Sequence, residues 1–308
     1  MKLNKPNFWD KKQITIIAII LLPITITYYV LFQLNKFIKS ILKKKFENIK
    51  VICVGNIYLG GTGKTPLVIE IFKEIKKKNK VSVLKKNNHK YLDEINLLRK
   101  NTNLICTYNR SEGLKKSAEK GDKFVILDDG FQDYSINKDY SILCVNSDLG
   151  FGNKMLLPSG PLRQRINNIK NFNSAVINGE KNTNLEAELK KYNEKIKIFY
   201  SKYKLINFEK FIGKEILAFS GIANNYKFFD LLKNNLNVKK TISFPDHYNY
   251  SKDELSNIVK LAKEKNMLIT TTSKDFNRLN YFKEEIECMD VELCIDNKGA
   301  LINSIVND

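Results

Sequence analysis

Residues Val51 to Pro66 read VICVGNIYLGGTGKTP. A run rich in β-branched residues stops at glycines, and Gly63-Lys64-Thr65 opens an apolar, helix-periodic stretch from about Pro66 to Lys78. Strand, glycine loop and helix in that order form a phosphate cradle. Glycines let backbone N–H groups approach phosphate oxygens, and the helix N-terminus adds partial positive charge. The cradle is Gly60, Gly61, Thr62, Gly63, Lys64 and Thr65. Lys64 can reach the β/γ-phosphates, and the Thr65 hydroxyl can ligate Mg²⁺. The common pattern has a further glycine five residues before Gly63, where this chain has Tyr58. Pro66 suits a first helical turn, whose N–H groups lack partners anyway.

A cradle of this kind belongs to a parallel α/β sheet, and the downstream pattern agrees. Strand-like runs recur at Lys80 to Leu84, Asp122 to Asp128, Tyr140 to Val145 and Ser174 to Ile177. Alternation with helical stretches predicts a P-loop NTPase-like α/β domain over residues 46–170. A charged, Asn-rich stretch from Lys181 to Lys195 reads as a separator, with the boundary between Arg165 and Lys195. Strands at Ile216 to Phe219, Lys239 to Ser243 and Met267 to Thr271, with helices at Phe228 to Asn235 and Ser251 to Lys265, predict a smaller second α/β domain over 171–308.

The front of the chain, 1–45, reads as a membrane anchor helix with basic flanks. Between Gln13 and Asn35 no residue is charged, and Ile14 to Phe32 is almost wholly apolar. About 20 such residues cross a bilayer core. Trp9 and Tyr28-Tyr29 are placed to mark the two interfaces, and Pro23 would kink the helix. A buried or interfacial helix is the alternative. Because nucleotide is cytosolic, the body after Lys45 is expected on the cytoplasmic side of the inner membrane. The net charge of +19 fits an anionic membrane surface or an anionic substrate. No nucleic-acid signature is evident. Five cysteines without a C-x-x-C suit a reducing compartment, with Cys53 and Cys144 as small core residues.

Asp128-Asp129 follow an apolar strand, where an acid in a phosphate-loop protein holds Mg²⁺ or its water shell. Of two histidines, His89 lies in a polar loop. His247, in Phe244-Pro-Asp-His247 after a strand, is a candidate for proton handling.

These segments together resemble the tetraacyldisaccharide 4'-kinase family of lipid A biosynthesis. Val54 to Pro66 is similar to its V-G-N-x-x-x-G-G-x-G-K-T-P loop. Asp128-Asp-Gly-Phe-Gln132, Leu157-Pro-Ser-Gly-Pro-Leu-Arg163, Ala218-Phe-Ser-Gly-Ile222, Phe244-Pro-Asp-His247 and Thr271-Thr-Ser-Lys-Asp275 follow in the family's order. The resemblance spans roughly residues 9 to 280 and extends to the family's N-terminal membrane helix. It implies transfer of the γ-phosphate of ATP, with Mg²⁺, to the 4'-hydroxyl of a lipid A disaccharide 1-phosphate acceptor, giving lipid IVA. It also implies Asp93, in Leu92-Asp-Glu-Ile95, as general base with His247 as partner. The chain departs from the family at Lys85-Lys-Asn-Asn-His89, where an S-R-G-Y-G loop is usual, and at Asp133 and Gln164, where His and Glu are usual. No obligate protein partner is implied. The alternatives are a membrane-tethered nucleotide switch, whose N-K-x-D motif has only Asn137-Lys-Asp-Tyr140 as a near match, and a non-catalytic membrane adaptor.

Overall fold

A computed structural model of the chain describes residues 5–41, 43–88, 92–222, 225–246 and 248–308. It divides into two compact units, 1–202 with 295–308 and 203–294. The sequence placed the boundary at 170/171, some thirty residues earlier, because it treated the charged 181–195 stretch as a separator. That stretch holds a helix, Thr183–Tyr192, capped by the Asn182 side chain and buried at Leu185 and Leu189. Its two leucines, four residues apart, put one apolar stripe on a polar helix, which composition alone hides.

In the first unit, β1 (Lys50–Gly55), β2 (Val81–Lys86), β3 (Leu104–Thr107), β4 (Phe124–Asp128), β5 (Tyr140–Asn146), β6 (Ser174–Asn178) and the first half of β7 (Lys197–Ile206) run in the order β3-β2-β4-β1-β5-β6-β7. Every pairing is parallel. The strands of the centre are buried along their length, but for the half-buried Lys50 that opens β1, as a parallel sheet covered on both faces requires. The β1–β4 register sets Val54 opposite Asp128, and the β2–β4 register sets Lys85 opposite the same residue. Three strand tips therefore end in one row.

The second unit has β8 (Ile216–Ser220), β9 (Val238–Ser243), β10 (Leu268–Thr272) and β11 (Ile286–Ile295), parallel, in the order β11-β10-β8-β9. Its long helix Lys252–Glu264 starts with a capping box between Ser251 and Glu254.

The N-terminal segment differs from the expected membrane helix. Its apolar run forms two helices, α1 (Ile16–Ile20) and α2 (Leu22–Ile41), that break at Leu21. Pro23 lacks an N–H and crowds the carbonyl four residues back, so one unbroken helix is disfavoured there. The later half of α2 carries Gln33, Asn35, Lys36 and Lys39. Among the described residues no helix is long and apolar enough to cross a membrane. The expected interface markers are also occupied otherwise. Trp9 is buried and donates to the Pro158 carbonyl at 2.9 Å. The Tyr28 hydroxyl donates to the Arg163 carbonyl at 2.8 Å, and Arg165 stacks on Tyr29. Thr25 and Ser159 share a buried 2.7 Å hydrogen bond. One side of α2 is thus fixed to the 158–165 loop, while Ile16, Ile20, Ile24, Leu31, Phe37 and Ile41 remain exposed.

Candidate active site

The loop after β1 bends at Gly60 and Gly63, whose φ angles of 133° and 91° an L side chain rarely adopts. These two glycines supply the turn of the loop, so Tyr58 is not needed as one. Its ring is buried and its hydroxyl donates to the Asp10 carboxylate. Helix α3 (Lys64–Lys76) begins at Gly63 without a side-chain cap, which leaves its first N–H groups for an anion. The Asn56 amide donates to the Thr62 hydroxyl at 3.0 Å and braces the loop from within. From outside, Arg163 N–H donates to the Ile57 carbonyl at 2.7 Å and Leu59 N–H to the Pro161 carbonyl at 2.8 Å.

Parallel pairing of β1 with β4 brings the two acids to this loop, and they face different ways. Asp128 is 1% exposed. Its Oδ2 accepts from the Thr65 hydroxyl at 3.3 Å and from Lys85 at 2.5 Å. Its Oδ1 is buried with no hydrogen-bond partner among the described residues. Such an oxygen beside a threonine hydroxyl fits one Mg²⁺ contact. A magnesium ion that keeps waters and phosphate oxygens needs only one or two protein ligands.

Asp129 lies in the left-handed region at φ 54°. Both of its oxygens are held by Arg163, at 3.0 and 2.8 Å, and Oδ1 is 4.0 Å from the Lys64 ammonium. Burial works to raise its carboxyl, but Lys64 and Arg163 outweigh it and hold it at about 2. Arg110 donates to the Asp129 carbonyl and pairs with Asp133 at 3.1 Å. Burial opposes the charge on Asp133 too, yet the Ser135 hydroxyl and Arg110 keep it below the usual carboxylate range. Asp133, which stands where the resembled family has His, is thus an anchor for this turn. Gln164 is 1% exposed, and neither end of its amide has a partner among the described residues.

Lys85, like Arg110 and Arg163 on the acid turn, escapes a reading of the sequence. Only 6% exposed, it donates to Asp128 and, at 2.7 Å, to Glu94 in the first turn of helix α4 (Leu92–Asn101). Burial disfavours its charge, but the two carboxylates prevail and raise its pKa above that of a free lysine. The visible signal was a lysine closing an otherwise apolar strand. Its meaning needed the β2–β4 register. Asp93 neighbours Glu94 in the same turn of α4. His247 and His89 lie outside the described residues. Cys53 and Cys144 are fully buried free thiols, and burial pushes both to about 11.

The family profile described as Tetraacyldisaccharide-1-P 4'-kinase matches residues 17–307. A tetraacyldisaccharide 4'-kinase of Pelagibacter ubique is 41% identical over 315 residues, covering 99% of this chain and 98% of that protein. One from Rickettsia typhi is 36% identical over 324 residues, covering 99% and 98%. Among solved structures, LpxK from Aquifex aeolicus in complex with ATP superposes with a TM-score of 0.72 at 24% identity, covering 94% of this chain and 98% of that one.

Proposed function

The chain belongs to the tetraacyldisaccharide 4'-kinase family, and on that premise we infer that it transfers the γ-phosphate of ATP to the 4'-hydroxyl of a tetraacylated glucosamine disaccharide 1-phosphate, forming lipid IVA in lipid A biosynthesis. The observation that carries this reading is the row of strand tips. It sets an open glycine loop, Lys64 and Thr65 beside a buried acid with one oxygen to spare. A nucleotide switch is not favoured. The near match to its guanine-reading motif is engaged in the chain's own structure, with Asn137 bonded to Asp139 and Lys138 to the Asp133 carbonyl.

The arrangement of the loop and the acids supports the following roles. The uncapped start of α3 and the N–H groups of residues 60–63 hold the β- and γ-phosphates. Lys64 offsets the charge that spreads over the transferred group. Thr65 and Asp128 Oδ1 would hold Mg²⁺, which when bound would offset the negative charge of the phosphates. Asp129, Arg163 and Arg110 fix the turn on which Asp128 sits. By resemblance to the family, Asp93 takes the proton of the acceptor hydroxyl and His247 is its functional partner.

The lipid acceptor also gives a use for the exposed face of α1 and α2. A helix pair fixed to the body on one side and apolar on the other suits the interfacial plane of an anionic inner membrane, with the catalytic body on the cytoplasmic side. The basic residues at 36, 39 and 43–45 add attraction to such a surface.

The test has two arms. Purified protein is assayed with Mg-ATP in the presence and absence of the disaccharide 1-phosphate. Phosphate must appear at the 4' position only when the acceptor is present, and acceptor-independent hydrolysis alone would overturn the assignment. Flotation on vesicles of phosphatidylethanolamine and phosphatidylglycerol then compares the whole chain with a chain lacking residues 1–41. Equal binding of the two in high salt rules out the helix pair as the anchor.

A further inference from the structure

The phosphate cradle has a cation of its own at its metal acid. Lys85 is carried on β2, and the β2–β4 register places it directly opposite Asp128. Its ammonium lies 2.5 Å from Asp128 Oδ2 and 2.7 Å from Glu94 Oε2. The lysine side chain is 7% exposed and the Asp128 side chain 0%. The position of this charge is therefore fixed by sheet pairing, by burial and by two carboxylates, and not by the rotamer preference of a free lysine. The same ammonium covers the oxygen that receives the Thr65 hydroxyl, so Oδ1 alone is left over.

We propose that Lys85 is a resident monovalent cation of the divalent-metal site, a positioning residue that occupies one oxygen of Asp128 and so makes divalent binding depend on the phosphates of the nucleotide. This rests on the reading of the site as a phosphate cradle. With Lys85 in place, a divalent ion approaching Asp128 finds one carboxylate oxygen, one hydroxyl and an adjacent positive charge. Protein atoms alone hold it weakly. Nucleotide phosphates add the missing negative charge and oxygen ligands, so metal and nucleotide enter together. Without Lys85, the buried Asp128 and the 36%-exposed Glu94 side chain lose the cation they share, and a divalent ion is the cation best able to serve both.

The experiment is a Mn²⁺ titration of the full chain followed by electron paramagnetic resonance, first without nucleotide and then with a non-hydrolysable ATP analogue. Lys85→Met removes the charge and keeps the stem. It should tighten nucleotide-free Mn²⁺ binding roughly tenfold or more, the scale expected when a unit charge within about 5 Å of a divalent ion is removed. Lys85→Arg restores the charge and should titrate like the parent. Lys85→Gln keeps hydrogen-bond donors for both carboxylates and serves if the Met variant does not fold cooperatively; it should shift the same way. A neutral variant that folds and binds Mn²⁺ no more tightly than the parent overturns the proposal. Failure of the underlying cradle reading looks different, because the parent itself would then not bind the ATP analogue.

Discussion

Removing the Lys64 charge is the sharpest perturbation of the cradle. Lys64→Met keeps most of the side-chain volume and discards only the ammonium. In the structure that ammonium lies 4.0 Å from Asp129 Oδ1, on a side chain 15% exposed. Two unit charges at about 4 Å interact by about 4 kcal/mol at an effective dielectric near 20, which suits a partly buried group. The transferred phosphoryl group brings negative charge to a similar distance. If the full interaction is made in the transition state, its loss slows transfer by roughly 10³-fold. The fold should survive, because Arg163 still holds both oxygens of Asp129. The assay is initial-rate transfer from Mg-ATP to the disaccharide 1-phosphate in mixed micelles, beside a thermal unfolding curve. A folded Lys64→Met protein within tenfold of the parental rate would refute the reasoning, since the lysine would then not face the phosphoryl group.

Three further outcomes are expected. Asp128→Asn should raise the Mg²⁺ concentration for half-maximal activity by roughly tenfold or more, and a Mg²⁺ titration that superposes on the parent's would remove Asp128 from the metal site. Asp129 has a folded pKa of about 2, below the ordinary carboxylate value, so its stabilising contribution is complete above about pH 4 and is lost as pH falls toward 2. Acid unfolding of Asp129→Asn should accordingly be flatter than the parent's in that window, and identical slopes would contradict the Lys64–Arg163 clamp. Asp93→Ala and His247→Ala should each cut the rate by about 10²–10⁴-fold, with the double variant little worse than the weaker single one. Fully multiplicative losses would mean that the two act separately.

The strand–loop–helix at residue 50 and the acids at 128–129 were legible from sequence because each is local: a few consecutive residues carry the whole signal. What the sequence hid depends on pairing between distant strands. Lys85 and Asp128 are 43 residues apart, and only parallel register sets them face to face. Arg163 and Arg110 were equally invisible as clamps on the acid turn, since their partners are loop atoms tens of residues away. Strand β3 is four residues long, and β7 mixes lysines with its apolar residues, so neither gives a clean period. The N-terminal segment misled in the opposite sense. Its hydropathy was unmistakable, but Thr25, Tyr28 and Trp9 had contacts waiting in the 158–165 loop, and hydropathy counts none of them.

Arg163 has a different consequence when its two ends are considered together. Its backbone carbonyl receives the Tyr28 hydroxyl from the apolar helix, and its guanidinium grips Asp129 beside the phosphate loop. A single residue thus spans the interval between a greasy surface and the seat of a highly charged nucleotide. The apolar helix and the acid turn therefore lean on the same residue, one by its main chain and the other by its side chain.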